Sequence, residues 1–439
     1  MGQARGLWPF HGELPRRGPR PGGGQSGLPG AFEPRAGHSA GGPAGRPGRL
    51  PAGGGVGAAA GGAGARGSSP LRRPHRRSRR RRGSAGRWSV WLRWLLSPLE
   101  LLYRLFLWLR RAAYGRGWVA RKHLPAKVVS VGNLTVGGTG KTPMVMRLAA
   151  GLEQRGLRVA VLTRGYGRRQ ALPLVINGRG DLSQYRPDLM GDEPILLARR
   201  LPDVTIGIGA DRYALGEKII EMEESTPPDV FLLDDGFQHL RLARDLDLVL
   251  LDSTDPFGGG AVLPAGPLRE PREALARADL IVLTRVDENA RTELLEEVRR
   301  LNPRAPVFRA GTKFVGAFDA ATHRTANLFA LKQQPALAFC GVGNPQAFEN
   351  DLERWGFDVA GLVAFPDHHR YGIEDFKLLV RHADRAGARV LLTTEKDMVN
   401  LSVVPPSIPP TFYCRIELEL DDEAGFFATL TERLQMAPK

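Results

Sequence analysis

Between Val128 and Gln154 the chain passes from a β-branched run, Val128-Val129-Ser130-Val131, through Gly132-Asn133-Leu134-Thr135-Val136-Gly137-Gly138-Thr139-Gly140-Lys141-Thr142 into a helical stretch that opens at Pro143. A buried strand, a glycine-rich loop and a helix in that order make a phosphate-binding unit. The glycines let successive N–H groups turn toward phosphate oxygens at the positive end of the helix. Gly137, Gly138, Thr139 and Gly140 form the cradle, Lys141 reaches the β- and γ-phosphates, and Thr142 offers a hydroxyl to Mg²⁺. The general pattern has glycine where Thr135 stands, so the loop opens in an atypical way.

Such a loop needs a carboxylate at the end of a neighbouring strand to hold the metal or its waters. Asp229-Val-Phe-Leu-Leu-Asp234-Asp235, Leu248-Val-Leu-Leu-Asp252 and Leu280-Ile-Val-Leu-Thr284-Arg285-Val-Asp287 are apolar runs that end in acids. Buried strands of that kind predict a parallel sheet with its site on the carboxyl edge. Asp234 and Asp235 are the best metal pair, because two adjacent acids before a glycine repel unless a cation or hydrogen bonds satisfy them. Gly191-Asp192-Glu193-Pro194 precedes a helical run over 195–200. Its acids read either as first-turn residues favoured by the helix dipole or, with a partner to tune it, as a general base at Asp192.

Charge would suggest a nucleic-acid binder: 62 Lys+Arg stand against 46 Asp+Glu, for a net +16. The excess lies almost wholly in residues 1–87, which hold 17 Arg, no Lys and two acids, together with 24 of the 54 glycines and 11 of the 34 prolines. That composition cannot bury enough apolar area to offset chain entropy and is expected to be disordered. Its run Arg72 to Arg82 reads as a solvated basic arm or as sequence ahead of the true start. Without interleaved aromatics no nucleic-acid partner is expected. Two separated cysteines, Cys340 and Cys414, exclude a disulfide framework or a zinc ribbon.

Residues 88–114 are dense in Trp, Leu and Phe yet too charged to span a bilayer comfortably. Ser97-Pro98-Leu99-Glu100 predicts a helix start, and the helix runs to about Ala113. At 100° per residue Arg93, Ser97, Glu100, Arg104 and Arg111 share one direction, while Trp94, Leu95, Leu101, Leu102, Leu105 and Leu109 lie opposite. An apolar face edged by arginine suits an interfacial helix lying on an anionic membrane surface, although an ordinary core-facing stripe has the same pattern.

SVGNLTVGGTGKTP (130–143), LTRGYGR (162–168), GDEP (191–194), GADRYALG (209–216), DDGFQH (234–239), LPAGPLREP (263–271), FPDHHRY (365–371) and TTEKD (393–397) occur in one order. Together they resemble the tetraacyldisaccharide 4'-kinases of lipid A biosynthesis, over 88–420. The resemblance implies ATP and Mg²⁺ as cofactors, a membrane lipid, tetraacyldisaccharide 1-phosphate, as acceptor, and a peripheral place on the cytoplasmic face of a Gram-negative inner membrane. It implies that Lys141 and Thr142 hold the nucleotide and metal, and that Asp234, Asp235 and Glu270 serve the metal. Arg212, Arg269 and His239 would meet phosphate or acceptor, and Asp192 would be the base, paired with His368 or less readily His369. A weak likeness of Thr284-Arg285-Val286-Asp287 to a guanine-reading T-K-x-D leaves another P-loop GTPase or ATP-dependent enzyme at the membrane surface as the alternative.

Strand signals at 307–310 and 411–418 bracket a block with its own strands. They predict an α/β fold in two parts: a P-loop kinase domain at 115–305 and a smaller α/β domain at 325–408. The parts are joined by a two-stranded hinge over 306–324 and the start of 409–439, the chain ending in a helix.

Overall fold

The computed structural model describes residues 90–166, 168–169, 172–180, 185–286, 291–401, 405 and 407–435. The basic segment 1–87 and Asp287 lie outside these residues, as do the side chains of 90–94, Arg93 and Trp94 among them. In chain order the elements are α1 (Val90–Gly115), β1 (Lys127–Asn133), α2 (Lys141–Glu153), β2 (Val159–Thr163), β3 (Leu174–Ile176), α3 (Pro187–Met190), α4 (Asp192–Arg200), β4 (Thr205–Ile208), α5 (Arg212–Met222), β5 (Val230–Asp234), β6 (Leu246–Asp252), β7 (Leu280–Thr284), α6 (Arg291–Leu301) and β8 (Val307–Asp319). There follow α7 (Leu328–Lys332), β9 (Ala336–Cys340), α8 (Pro345–Arg354), β10 (Val359–Ala364), α9 (Ile373–Ala386), β11 (Val390–Thr394), α10 (Glu395–Asn400), β12 (Thr411–Leu420) and α11 (Glu423–Arg433).

The strands form one sheet in the order β10-β9-β11-β12-β8-β7-β6-β1-β5-β2-β4-β3. All pairings are parallel except β3 with β4 at one edge and β8 with β12 in the middle. The near-continuous Val/Leu/Ile runs of β1, β5, β6 and β7 are buried along their length, as strands covered on both faces require. Val129, Val131, Leu232 and Leu250 face α2 and α11 on one side of the sheet. Val249, Leu251 and Ile281 meet Phe237 and Leu268 on the other. Two further apolar clusters, around Ala338 and Leu392 and around Phe339 and Leu391, sandwich β9 and β11. β8 pairs with β7 only over Val307–Ala310 and β12 with β11 only over Thr411–Cys414, so between the halves β8 and β12 have chiefly each other as ladder partners.

One close approach fixes the strand that feeds the glycine loop. A Cβ on Gly132 would lie 2.5 Å from Phe237 Cβ and 2.9 Å from the Phe237 backbone nitrogen. Because backbone cannot swing aside, Gly132→Ala is expected to lower stability by about 1–3 kcal/mol, read as a shifted urea midpoint with an unchanged slope.

α1 differs from expectation at its start. The helix does not begin at Ser97 but runs unbroken from Val90 through Pro98. Proline costs it one hydrogen bond, which the strong helix formers on either side absorb. The side of the helix that carries Glu100 faces the protein, though Arg111 of the same stripe is exposed: the Val262 N–H donates to Glu100 Oε1 at 3.1 Å, Tyr103 O–H donates to the Arg269 carbonyl at 3.3 Å, and Arg110 Nη2 donates to the Gln238 carbonyl at 3.0 Å. Leu107 is buried beneath it. The opposite arc is bare, with Leu95, Leu101 and Leu102 each more than 60% exposed and Leu99, Leu105, Phe106, Trp108 and Leu109 at least half exposed. Among the described residues no helix is long and apolar enough to cross a membrane.

Candidate active site

The glycine loop leaves β1 and enters α2 through Gly140, whose φ of 88° is in the left-handed region that glycine adopts without strain. No side chain caps that N-terminus, so its first-turn N–H groups face outward. The atypical Thr135 is backbone-paired with Leu268, an extended conformation that a β-branched residue favours and that needs no glycine. The same 263–271 segment clamps the loop twice more, through Val136 N to the Pro267 carbonyl at 2.8 Å and Arg269 N to the Leu134 carbonyl at 2.7 Å. Around Gly137 and Gly138 there is open space where a ligand can approach the backbone. Thr139 is buried, with its carbonyl accepting from Thr284 Oγ1 at 3.3 Å. Lys141 Nζ donates to Asn133 Oδ1 at 3.3 Å and to the Gly137 carbonyl at 3.4 Å, and lies 3.7 Å from Asp235 Oδ1. Thr142 follows it in the first turn of α2.

β5 delivers the two acids. Asp234 is buried and accepts from Thr163 Oγ1 at 3.3 Å. Asp235 turns out of the strand at φ 54° and meets Arg269 Nη1 at 2.7 Å. Burial, with Glu193 and Asp235 nearby, pushes the Asp234 carboxyl up to about 7. Burial raises Asp235 too, but Lys141 and Arg269 outweigh it and hold that carboxyl below the usual range. The donors at this edge are hard oxygens, and Asp234 is a carboxylate short of positive charge. Both facts fit a Mg²⁺ ion that takes one or two protein oxygens, with phosphates and water filling its shell. Among the described residues no cluster of three or more His, Cys, Asp or Glu makes an all-protein cage, as such an ion requires none.

Glu270, which the resemblance assigns to the metal, gives both oxygens to Arg277, at 2.9 and 3.0 Å, and Arg277 lies over the Phe237 ring. That ion pair ties the segment bearing Arg269 to the 3₁₀ turn over Arg272–Arg277. Arg212, nearly buried at the start of α5, has its guanidinium lowered to about 10 by burial and then by Arg164. His239 is lowered to about 4 by burial and then by Arg212 and Arg244, so it is a neutral imidazole. Its buried Nε2 has no partner, which leaves a polar atom for a ligand. Thr284 and Arg285, the start of the guanine-reader likeness, are engaged internally: Thr284 as above, and Arg285 with Asp252 at 2.8 Å.

Asp192 opens α4 behind Gly191, whose φ of 89° makes the sharp entry. It is 4% exposed, and its Oδ1 accepts from the Glu193 N–H at 2.9 Å, so the first-turn role exists. The partner exists as well. His368 Nδ1 lies 2.8 Å from Asp192 Oδ2 and 3.1 Å from Oδ1, and Asn400 Nδ2 donates to Oδ2 at 3.3 Å. Burial disfavours the Asp192 charge, but the His368 hydrogen bond, the Lys396 ammonium and Asn400 together hold its carboxyl below the ordinary range. His369 points elsewhere: its Nε2 meets Asp375 Oδ2 at 3.0 Å and its ring stacks on Phe365. A left-handed φ of 61° at His368 is what separates the two neighbours. Burial raises the Glu193 carboxyl, with the Lys396 and Lys141 ammoniums opposing it, and Glu193 in turn helps to raise Asp234.

α10 brings two groups that sequence reasoning had left without a role. Lys396 Nζ lies 3.3 Å from His368 Nε2 and 3.0 Å from Asp367 Oδ1, and Asn400, one turn on, meets Asp192. The TTEKD motif carried the first of them. Glu395 on the same helix binds Arg200 of α4 at 3.3 Å and Arg415 at 2.8 Å, and Arg200 also reaches Glu417 at 2.7 Å.

Residues 92–435 match the family model described as tetraacyldisaccharide-1-P 4'-kinase. A tetraacyldisaccharide 4'-kinase of Syntrophus aciditrophicus is 38% identical over 350 residues, covering 78% of this chain and 93% of its own length. One from Geobacter metallireducens is 42% identical over 328 residues, covering 75% and 94%. Among solved structures, that of LpxK from Aquifex aeolicus in complex with ATP is 32% identical and superposes with a TM-score of 0.62, covering 78% of this chain and 99% of that one.

Proposed function

Since the chain belongs to the tetraacyldisaccharide-1-P 4'-kinase family, we propose that Asp192 takes the proton of the acceptor hydroxyl while the glycine loop holds the nucleotide. The overall reaction is transfer of the γ-phosphoryl group of ATP to the 4'-hydroxyl of tetraacyldisaccharide 1-phosphate in lipid A biosynthesis. The 4'-oxygen forms its bond to the γ-phosphorus, the bond from that phosphorus to the bridging oxygen breaks, ADP leaves, and the hydroxyl proton passes to Asp192. Phosphoryl transfer of this kind asks the protein chiefly for positioning and charge stabilisation. Lys141 swings from its loop contacts to the γ-phosphate, and Arg269 meets charge that develops as the phosphoryl moves. Thr142, Asp234 and Asp235 would hold Mg²⁺, which neutralises phosphate charge when bound. Arg212 and the neutral His239 receive the acceptor's polar groups.

The observation that supports this reading best is the Asp192–His368 contact at 2.8 Å, a buried carboxylate oriented by an imidazole from the far part of the chain. Residues 115–305 act as the nucleotide domain, 325–408 as the smaller domain, and the β8–β12 ribbon as the hinge between them. Incubation with ATP, Mg²⁺ and the disaccharide lipid is expected to give ADP and a lipid heavier by one phosphoryl group. ATP hydrolysis without a phosphorylated lipid would overturn the assignment of Asp192 as base toward that acceptor.

The bare arc of α1 is the membrane contact, at the cytoplasmic face of the inner membrane. A lipid acceptor demands work at a surface, and the helix turns leucine, tryptophan and phenylalanine outward while Arg111 and Arg116 flank them. Leu102→Glu with Leu109→Glu is expected to abolish flotation with anionic lipid vesicles while leaving thermal unfolding unchanged. Undiminished flotation would place the anchor elsewhere.

A further inference from the structure

Two charged groups press on His368 from opposite sides, and only one of them belongs to the reaction described so far. Asp192 faces Nδ1; Lys396 faces Nε2 at 3.3 Å. An ammonium carries three donors and no acceptor, so a hydrogen bond between Nζ and Nε2 requires the ring nitrogen to offer its lone pair. The single proton of a neutral imidazole then sits on Nδ1, where Asp192 accepts it. An imidazolium would instead set an N–H against the ammonium, two donors and two like charges in contact. Asp367 relieves that clash only through its charge, not by a hydrogen bond. Its Oδ2 is 3.8 Å from Nε2, too far for a hydrogen bond, while its Oδ1 holds Lys396 at 3.0 Å.

We propose that Lys396 is a positioning residue, which holds the neutral His368 ring in the Nδ1–H tautomer and opposes a second proton there, so that Asp192 remains an anionic base able to accept a proton. The proposal rests on Asp192 as the base and adds what keeps it in that state. α10 is built for the task. Thr394 caps its N-terminus, Asp397 on its inner side accepts from the Gly341 N–H and Tyr371 O–H, and Lys396 and Asn400 reach His368 and Asp192 from positions one turn apart. Without Lys396 the Asp192 carboxylate would draw a second proton onto the ring, and the resulting ion pair would be a poorer base.

The charged and titratable groups that face the imidazole are Asp192 and Glu193 from α4, Asp367 from its own loop and Lys396 from α10; the Tyr166 ring packs 5.5 Å away. The hydrogen bond to Asp192 raises the His368 proton affinity above the usual histidine value, and Lys396 opposes it. Removing the ammonium therefore raises that affinity further. Because the working form has a neutral ring, the acid-side loss of activity sets in at higher pH in the variant.

The test uses the full chain with ¹⁵N-labelled histidine, the His368 ring being assigned by its absence in His368→Gln. At neutral pH the unaltered protein is expected to show a protonated Nδ1 and an unprotonated, hydrogen-bonded Nε2. The opposite tautomer, or an imidazolium, overturns the proposal, and this measurement needs no variant at position 396. Lys396→Met is then expected to move the His368 titration midpoint and the acid limb of kcat/KM upward together, by on the order of one pH unit, with Lys396→Arg restoring both. A drop that is uniform across pH with an unmoved midpoint also overturns it. Full turnover by Asp192→Asn beside an unchanged tautomer in the wild-type spectrum would remove the base and leave the Lys396–His368 bond standing, so the two failures are distinct.

Discussion

Asp192→Asn is expected to lower turnover by about 10² to 10⁴-fold with little change in melting temperature. The amide keeps the shape and an acceptor for His368 but cannot take a proton. His368→Ala should cost roughly 10²-fold or more, and His369→Ala much less, because His369 is tied to Asp375 and stacked on Phe365, away from the base. If Asp192 and His368 form one device, the double variant is little worse than the worse single one, since removing either member already disables the pair. Multiplicative losses would mean separate duties, such as Asp192 at the metal and His368 on the lipid.

The second large effect is at the phosphate loop. Lys141→Ala is expected to reduce turnover by on the order of 10²-fold or more, because it removes a cation aimed at charge that grows during transfer. A second loss accompanies it. Lys141 lowers the proton affinity of both Asp234 and Asp235, so without it Asp234, already raised to about 7, holds its proton more tightly and is a poorer metal ligand. Turnover measured against Mg²⁺ concentration should therefore need more metal in the variant. Near-normal turnover at ordinary Mg²⁺ would remove Lys141 from the site.

The glycine loop and the acid-terminated strands were legible because their chemistry depends on backbone, and glycine, β-branched and acidic residues in order describe backbone well. The choice between His368 and His369 was not. Adjacent residues of one type differ only in where the chain turns, and a left-handed φ at a non-glycine residue leaves no mark in composition. Glu270 was placed at the metal by resemblance alone. Its pairing with Arg277, seven residues further on, comes through a short 3₁₀ turn whose path the sequence does not announce. Lys396 and Asn400 stayed hidden for a different reason: four residues apart on a helix marks a shared face, but what that face meets depends on α10 packing against α4, from a distant part of the chain. At Ser97-Pro98 a strong local start signal lost to the helical residues before it.

The ladder between β8 and β12 runs from Ala310 with Leu420 to Asp319 with Phe412, and so ties the two halves of the sheet by backbone whatever their angle. Parting α4 from α10 therefore breaks none of those strand bonds. It breaks Arg200 from Glu395 and Glu417, and it breaks Asp192 from His368 and Asn400. The contacts that hold the halves together thus include the proposed base pair itself. If Asp192 is the base proposed above, separating the halves would take the base from its partner, and a nucleotide alone in its loop would then meet no assembled pair with which to activate water.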